Sequence, residues 1–156
     1  MSLAPFVPSP LNVVDKMLEL AEVKPGETLY DLGCGDARIV IAAAQKYGAK
    51  AVGVELDEGR YQNCVWRVKQ AGLDDMVKIV HSDLTQVSLK EADAVTLYLL
   101  ESANQRLRPI LERDLRPGAR VVSHDFPMLA WKTARTEKVR EGSSWFGTHT
   151  IYLYKR

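Results

Sequence analysis

The stretch Tyr30-Asp31-Leu32-Gly33-Cys34-Gly35-Asp36-Ala37-Arg38 constrains this chain more than any other. Glu27-Thr28-Leu29-Tyr30 ahead of it reads as a strand, and Ile39-Val40-Ile41-Ala42-Ala43-Ala44 behind it reads as a helix. Two glycines at a strand-to-helix turn let backbone approach a ligand where a Cβ would collide. The unpaired N–H groups of a helix start add donors at the same place. The turn is therefore expected to open a ligand site on an α/β sheet.

The rest of the chain repeats the alternation. Strand-like runs at Ala51–Glu55, Val77–His81, Ala94–Leu100 and Arg120–His124 are separated by helical segments. The first crossover helix is expected to take Asp36 as its N-cap and to stop at Gly48. The second shows Tyr61, Cys64, Val65 and Val68 on one face and stops at Gly72. Ala94–Leu100 is continuously apolar, as a strand covered on both faces should be. The helix after it carries Leu107, Ile110, Leu111 and Leu115, and Pro109 is expected to kink it or begin its second half. Glu137–Arg140 and Thr148–Tyr154 flank a glycine- and serine-containing loop and are expected to pair as an antiparallel hairpin. At the other end three prolines force residues 4–10 into an extended arm. Ser9 is expected to cap a helix that begins at Pro10 and turns Leu11, Val14, Leu18 and Ala21 inward. The expectation is one α/β domain over residues 1–156, a doubly wound sheet with a closing hairpin and a proline-rich arm at 1–10.

Composition narrows the partners. A formal net charge of +1 over 156 residues gives no electrostatic case for nucleic acid or an anionic membrane. No apolar run reaches the roughly 20 residues of a membrane span. Cys34 and Cys64 lack metal-ligand spacing, so no metal site is expected and a reduced, cytoplasmic protein is the simplest reading.

The order Asp31-x-Gly33-x-Gly35 resembles the S-adenosylmethionine-binding turn of Rossmann-like methyltransferases. A nicotinamide dinucleotide site would want a third glycine where Arg38 stands, and Asp36 would repel its pyrophosphate. Asp31, Glu55 and Asp83 each follow or end a strand, and a parallel sheet gathers such ends on one rim. The resemblance gives each a task. Glu55 accepts from the ribose hydroxyls, Asp83 accepts from the adenine amino group with Leu84 beside it, and Asp31 faces the methionyl ammonium. Gly33, Cys34 and Gly35 form the cofactor turn, and Val7 and Ser9 of the arm reach across the cofactor mouth.

Several stretches are similar to one narrower family, the small archaeal and bacterial protein-lysine methyltransferases and their mitochondrial lysine methyltransferase relatives. They are Pro5-Phe6-Val7-Pro8-Ser9-Pro10, Leu97-Tyr98-Leu99-Leu100, Leu115-Arg116-Pro117-Gly118, Ser123-His124-Asp125-Phe126 and the closing His149-Thr150-Ile151-Tyr152-Leu153-Tyr154. The resemblance implies a seven-stranded Rossmann-like sheet, S-adenosylmethionine as cofactor and lysine-bearing protein as substrate. Ala37 stands where members usually have glycine, and Phe6 where tyrosine is common. Tyr98, His124 and Asp125, at the ends of the fourth and fifth strands, are the candidates to receive and orient an amine. Trp145 and Phe146 are candidates to cover substrate. The Asn-Pro-Pro-aromatic run of adenine and glutamine amino methylases is missing after the fourth strand, and no cysteine lies there for cytosine C5 chemistry. A small molecule or RNA as acceptor, or cofactor binding without catalysis, are the alternatives.

Overall fold

A computed structural model describes residues 7–141 and 147–156. The expectations for Pro5, Phe6, Trp145 and Phe146 lie outside the described residues. The chain runs α1 (Leu11–Leu20), β1 (Thr28–Leu32), α2 (Arg38–Tyr47), β2 (Lys50–Glu55), α3 (Glu58–Gln70), β3 (Val77–His81), β4 (Ala94–Leu97), α4 (Glu101–Asp114), β5 (Arg120–His124), β6 (Arg135–Arg140) and β7 (Thr148–Lys155), with a 3-10 turn at Leu84–Gln86. The strands form one sheet in the order β3-β2-β1-β4-β5-β7-β6. β1 to β5 are parallel, while β7 runs antiparallel to both β5 and β6. This is the Rossmann-like sheet and closing hairpin that the sequence implies.

Period-two alternation divides the core between the two faces. On β7, Ile151 and Leu153 pack under α1 and α2, whereas Tyr152 and Tyr154 pack on the face that α4 covers. All four β4 residues are buried, which is why the run carries no polar alternation except Thr96. The chain winds outward from β1 to β3, then crosses back to β4 on the other side of β1. The strand order thus reverses between β1 and β4, and crevices for ligands open at such switch points.

Local details differ from the sequence reading. Strand β4 ends at Leu97, so Tyr98 leaves the sheet instead of continuing it. Helix α2 starts at Arg38, not at Asp36, because Ala37 takes the left-handed conformation at φ 68°. That conformation explains why glycine is usual there. Ser9 does not cap α1, which has no side-chain cap; its hydroxyl pairs instead with His124. The inner face of α1 holds Val13 and Met17 as well as Val14 and Leu18, while Leu11 is exposed. Val65 of α3 is likewise exposed. Helix α4 runs through Pro109 without a break.

Gly53 of β2 sits opposite Asp31 of β1. A Cβ there would lie 2.8 Å from Cys34 Sγ and 2.9 Å from Cys34 Cβ. The sheet therefore lets the glycine turn lie flat on β2 only because residue 53 has no side chain. Gly53→Ala is expected to lower stability by about 1–3 kcal/mol, the usual cost of overpacking, and to weaken cofactor binding by displacing Cys34. Urea denaturation alongside calorimetric titration measures both.

Candidate active site

The turn after β1 is built from backbone. Gly33 (φ 85°) and Gly35 (φ 60°) are left-handed, which glycine adopts without a Cβ penalty. The N–H groups of Gly33 and Cys34 donate to the Val54 carbonyl at 2.8 and 3.0 Å. This ties the turn to the end of β2. Below it, Cys34 and Cys64 are buried free thiols with sulfurs 3.5 Å apart, and Cys64 Sγ donates to the Gly35 carbonyl at 3.0 Å. The neighbouring thiol and burial push the Cys34 thiol upward, so it stays protonated. Its part is packing.

A cleft of about 680 Å³, open solvent included, lies over this turn. Its wall includes Val7, Pro8 and Ser9 of the arm, Asp31, the Gly33–Asp36 turn, Glu55, Leu84, Tyr98 and Leu99. The topology therefore brings together Asp31, Gly33, Cys34, Gly35, Glu55, Leu84, Val7, Ser9 and Tyr98 among the expected residues. Asp83 is not in the wall. It caps the 3-10 turn, its Oδ1 accepting from Thr85 N at 2.8 Å and Thr85 Oγ1 at 2.6 Å, and these bonds hold its carboxyl below the usual range. His124 and Asp125 are also outside the wall. His124 is fully buried behind Tyr98, the ring centroids 3.7 Å apart.

Three carboxylates, Asp31, Asp36 and Glu55, and two guanidiniums, Arg38 and Arg60, line the cleft. Asp31 is 3% exposed, and its Oδ1 accepts from Thr96 Oγ1 at 2.8 Å across the β1–β4 register. Burial raises its pKa to about 7, despite the Thr96 bond, and the charges of Glu55 and Asp36 push the same way. Glu55, also buried, accepts from Gly35 N through Oε1 and from Asp57 N through Oε2, both at 3.0 Å. A carboxylate has about four lone-pair sites, so each oxygen can still accept. Arg60 Nε lies 3.5 Å from Oε2. Burial lowers the His124 pKa to about 4, which makes its imidazole neutral at neutral pH.

Sequence reasoning missed two parts. Arg38, in the place of the absent third glycine, pairs with Asp36 and donates to the Ser9 carbonyl at 2.9 Å. It fastens the arm to the glycine turn, and Ser9 Oγ fastens it to His124 Nδ1 at 2.8 Å. His149 of β7 meets His124 and Asp125. No short-range pattern marks these partners, because only the antiparallel pairing of β7 with β5 brings them together.

The model of the ANTKMT methyltransferase domain family matches residues 31–135, from the acid of the glycine turn to the start of β6. A protein-lysine N-methyltransferase of Saccharolobus islandicus is 42% identical over 151 residues, covering 96% of this chain and 92% of the relative. The mouse adenine nucleotide translocase lysine N-methyltransferase is 37% identical; the match covers 82% of this chain but 56% of the mouse protein. Among solved structures, an RNA methyltransferase from Salinibacter ruber in complex with S-adenosyl-L-homocysteine is 46% identical, with a TM-score of 0.87 over 96% of this chain and 93% of that one. The family match over two thirds of the chain and the 42% identity to the Saccharolobus enzyme show that this chain belongs to the ANTKMT methyltransferase domain family.

Proposed function

We propose that this protein transfers the methyl group of S-adenosylmethionine to lysine side chains of other proteins. The likeness to the Saccharolobus protein-lysine methyltransferase across nearly both full lengths carries the reading of the acceptor. For the cofactor, support comes from the cleft, where Asp31 is a buried carboxylate suited to pair with an ammonium and Glu55 retains lone pairs beside the glycine turn. The two free, buried thiols accord with work in a reducing, cytoplasmic setting. Among the described residues no helix is long and apolar enough to cross a membrane.

The bound cofactor supplies an electrophilic methyl on a sulfonium, and every other part belongs to the chain. Glu55 accepts from the ribose hydroxyls, while its bonds to Gly35 and Asp57 hold the carboxylate still. Asp31 balances the methionyl ammonium. Leu84 and Leu99 give the cleft its apolar wall. Asp83 lies outside the cleft wall with its Oδ1 held by Thr85, so any contact with the adenine amino group would come from Oδ2. Val7 and Ser9 of the arm line the mouth of the cleft, where a bound cofactor would bring them over it and shed water from the charges inside.

The acceptor lysine must be neutral. At pH 7 this costs about 4.6 kcal/mol from a reference pKa near 10.4. An apolar entry and the nearby sulfonium both penalise the ammonium form and supply part of that cost. Tyr98 sits at the acceptor end of the wall, with its own pKa raised by burial and by Asp125 and Glu141. It stays protonated and offers its hydroxyl oxygen to orient the amine. His124 braces the Tyr98 ring from behind, and Asp125 acts at one further remove.

The Salinibacter relative gives RNA as the competing acceptor. Labelled S-adenosylmethionine, added with the protein to a cell extract, separates the two. Label removed by protease and kept through ribonuclease is the expected result. Label that ribonuclease releases assigns the enzyme to RNA and overturns the lysine reading.

A further inference from the structure

Where β5 ends and β7 begins, on the same rim as the cleft, three side chains bring their ligand atoms close together. His124 Nε2 lies 2.7 Å from His149 Nδ1. Asp125 Oδ2 lies 3.1 Å from His149 Nδ1 and 3.4 Å from His124 Nε2. We propose that His124, Asp125 and His149 form a binding site for one divalent transition ion of the zinc class, independent of the methyl-transfer reading.

The outer atoms of the three residues carry the argument. His149 Nε2 pairs with Glu141 Oε2 at 3.1 Å. An ionised carboxylate only accepts, so Nε2 carries a proton, and the tautomer protonated there alone turns the lone pair of Nδ1 inward. On the other ring, His124 Nδ1 pairs with Ser9 Oγ at 2.8 Å. When Nδ1 donates there, the Nε2 lone pair also points inward. Asp125 Oδ1 is taken by the Thr150 N–H at 2.9 Å, which leaves Oδ2 facing the two rings. In that pair of tautomers three lone-pair atoms face one another, and a cation takes the place of the hydrogen bond that otherwise joins the two ring nitrogens at 2.7 Å.

This is also how ligating histidines are held. A metal-bound histidine gives its second ring nitrogen to an oxygen that fixes tautomer and orientation. Here Ser9 and Glu141 supply those oxygens. The triangle is small enough that an ion about 2.1 Å from each atom sits out of its plane. Two imidazoles and one carboxylate on one side of an ion leave its other positions open. The surroundings also hold the carboxylate in place: Asp125 has a left-handed backbone, φ 62°, a conformation that a non-glycine residue keeps where its neighbours demand it. His124 is fully buried and His149 is 15% exposed at the side chain, so the site is sheltered but reachable.

Its place gives it a consequence. Ser9 lines the cofactor cleft and His124 backs Tyr98, so an ion would lock the arm and the acceptor wall to β7. The full chain, freed of metal with a chelator, should be titrated with Zn²⁺ by calorimetry, and with Co²⁺ by visible absorption. One ion per chain and ligand-field bands from Co²⁺ are expected, with a rise in melting temperature. His149→Gln and Asp125→Asn, both at part-exposed positions, should each weaken Zn²⁺ binding at least tenfold and keep the wild-type circular dichroism. No stoichiometric binding would mean that His124 and His149 share only a proton, and the proposal fails. Binding unchanged in both variants would belong to another place and would overturn it equally.

Discussion

Glu55→Ala is expected to weaken S-adenosylmethionine binding by about a hundredfold or more. Glu55 would take two hydroxyl hydrogen bonds on an ionised acceptor, and bonds to a charged group contribute about 1.5–3 kcal/mol each. The variant also releases Gly35 N and Asp57 N, which the two carboxylate oxygens now hold at 3.0 Å, so the turn loses its anchor as the ribose loses its partner. Glu55→Gln keeps one acceptor oxygen and should fall between the two. Calorimetric titration with S-adenosylmethionine and S-adenosylhomocysteine measures the loss. An affinity within about threefold of wild type, less than one such hydrogen bond supplies, would remove Glu55 from the site.

Asp31→Asn is expected to separate stability from binding. The carboxyl has a pKa of about 7 in the fold against an ordinary value of 3.8. The folded protein therefore binds more protons than the unfolded chain between those values, and stability falls as pH rises from about 4 to 7. Above pH 7 the full penalty of a buried charge beside two other carboxylates remains, of order 2–4 kcal/mol. Asparagine keeps an oxygen for Thr96 and removes the charge, so the unliganded variant should melt at a higher temperature than wild type at pH 8. It should bind S-adenosylmethionine more weakly, because the ammonium loses its counter-charge. Wild-type affinity should rise with pH up to about 7 and then level, since a cation selects the ionised form. The Asp31→Asn variant should lack that rise. Differential scanning calorimetry and titrations from about pH 5.5 to 8.5, a range that brackets the Asp31 transition, test both halves. A variant less stable than wild type at pH 8 would contradict the burial argument.

Much of this site was legible because it rests on short-range chemistry. Asp31, Gly33 and Gly35 announce the turn, and the spacing to Glu55 follows from one strand-helix-strand unit. Parallel pairing does the rest, as Asp31 opposite Gly53 and Thr96 shows. The hairpin was legible from the loop between two alternating runs. The parts that escaped depend on long-range partners. Ser9 has the composition of a helix cap, but a buried imidazole 115 positions away takes its hydroxyl. Asp36 likewise has the composition of a cap, but the left-handed Ala37 delays the helix and Arg38 claims the carboxylate. Asp83 sits where an adenine partner is expected, yet turns to Thr85. His149 opens a run that resembles the family, but nothing local marks its partners. Its meaning arises only once β7 folds back along β5.

The most direct test is mass-spectrometric mapping of methyl groups after the protein is incubated with S-adenosylmethionine and a panel of lysine-bearing proteins, with Glu55→Ala as the control. Methyl groups on lysine Nζ, missing from the control, are the predicted result. Methyl groups confined to RNA or to side chains other than lysine would contradict it.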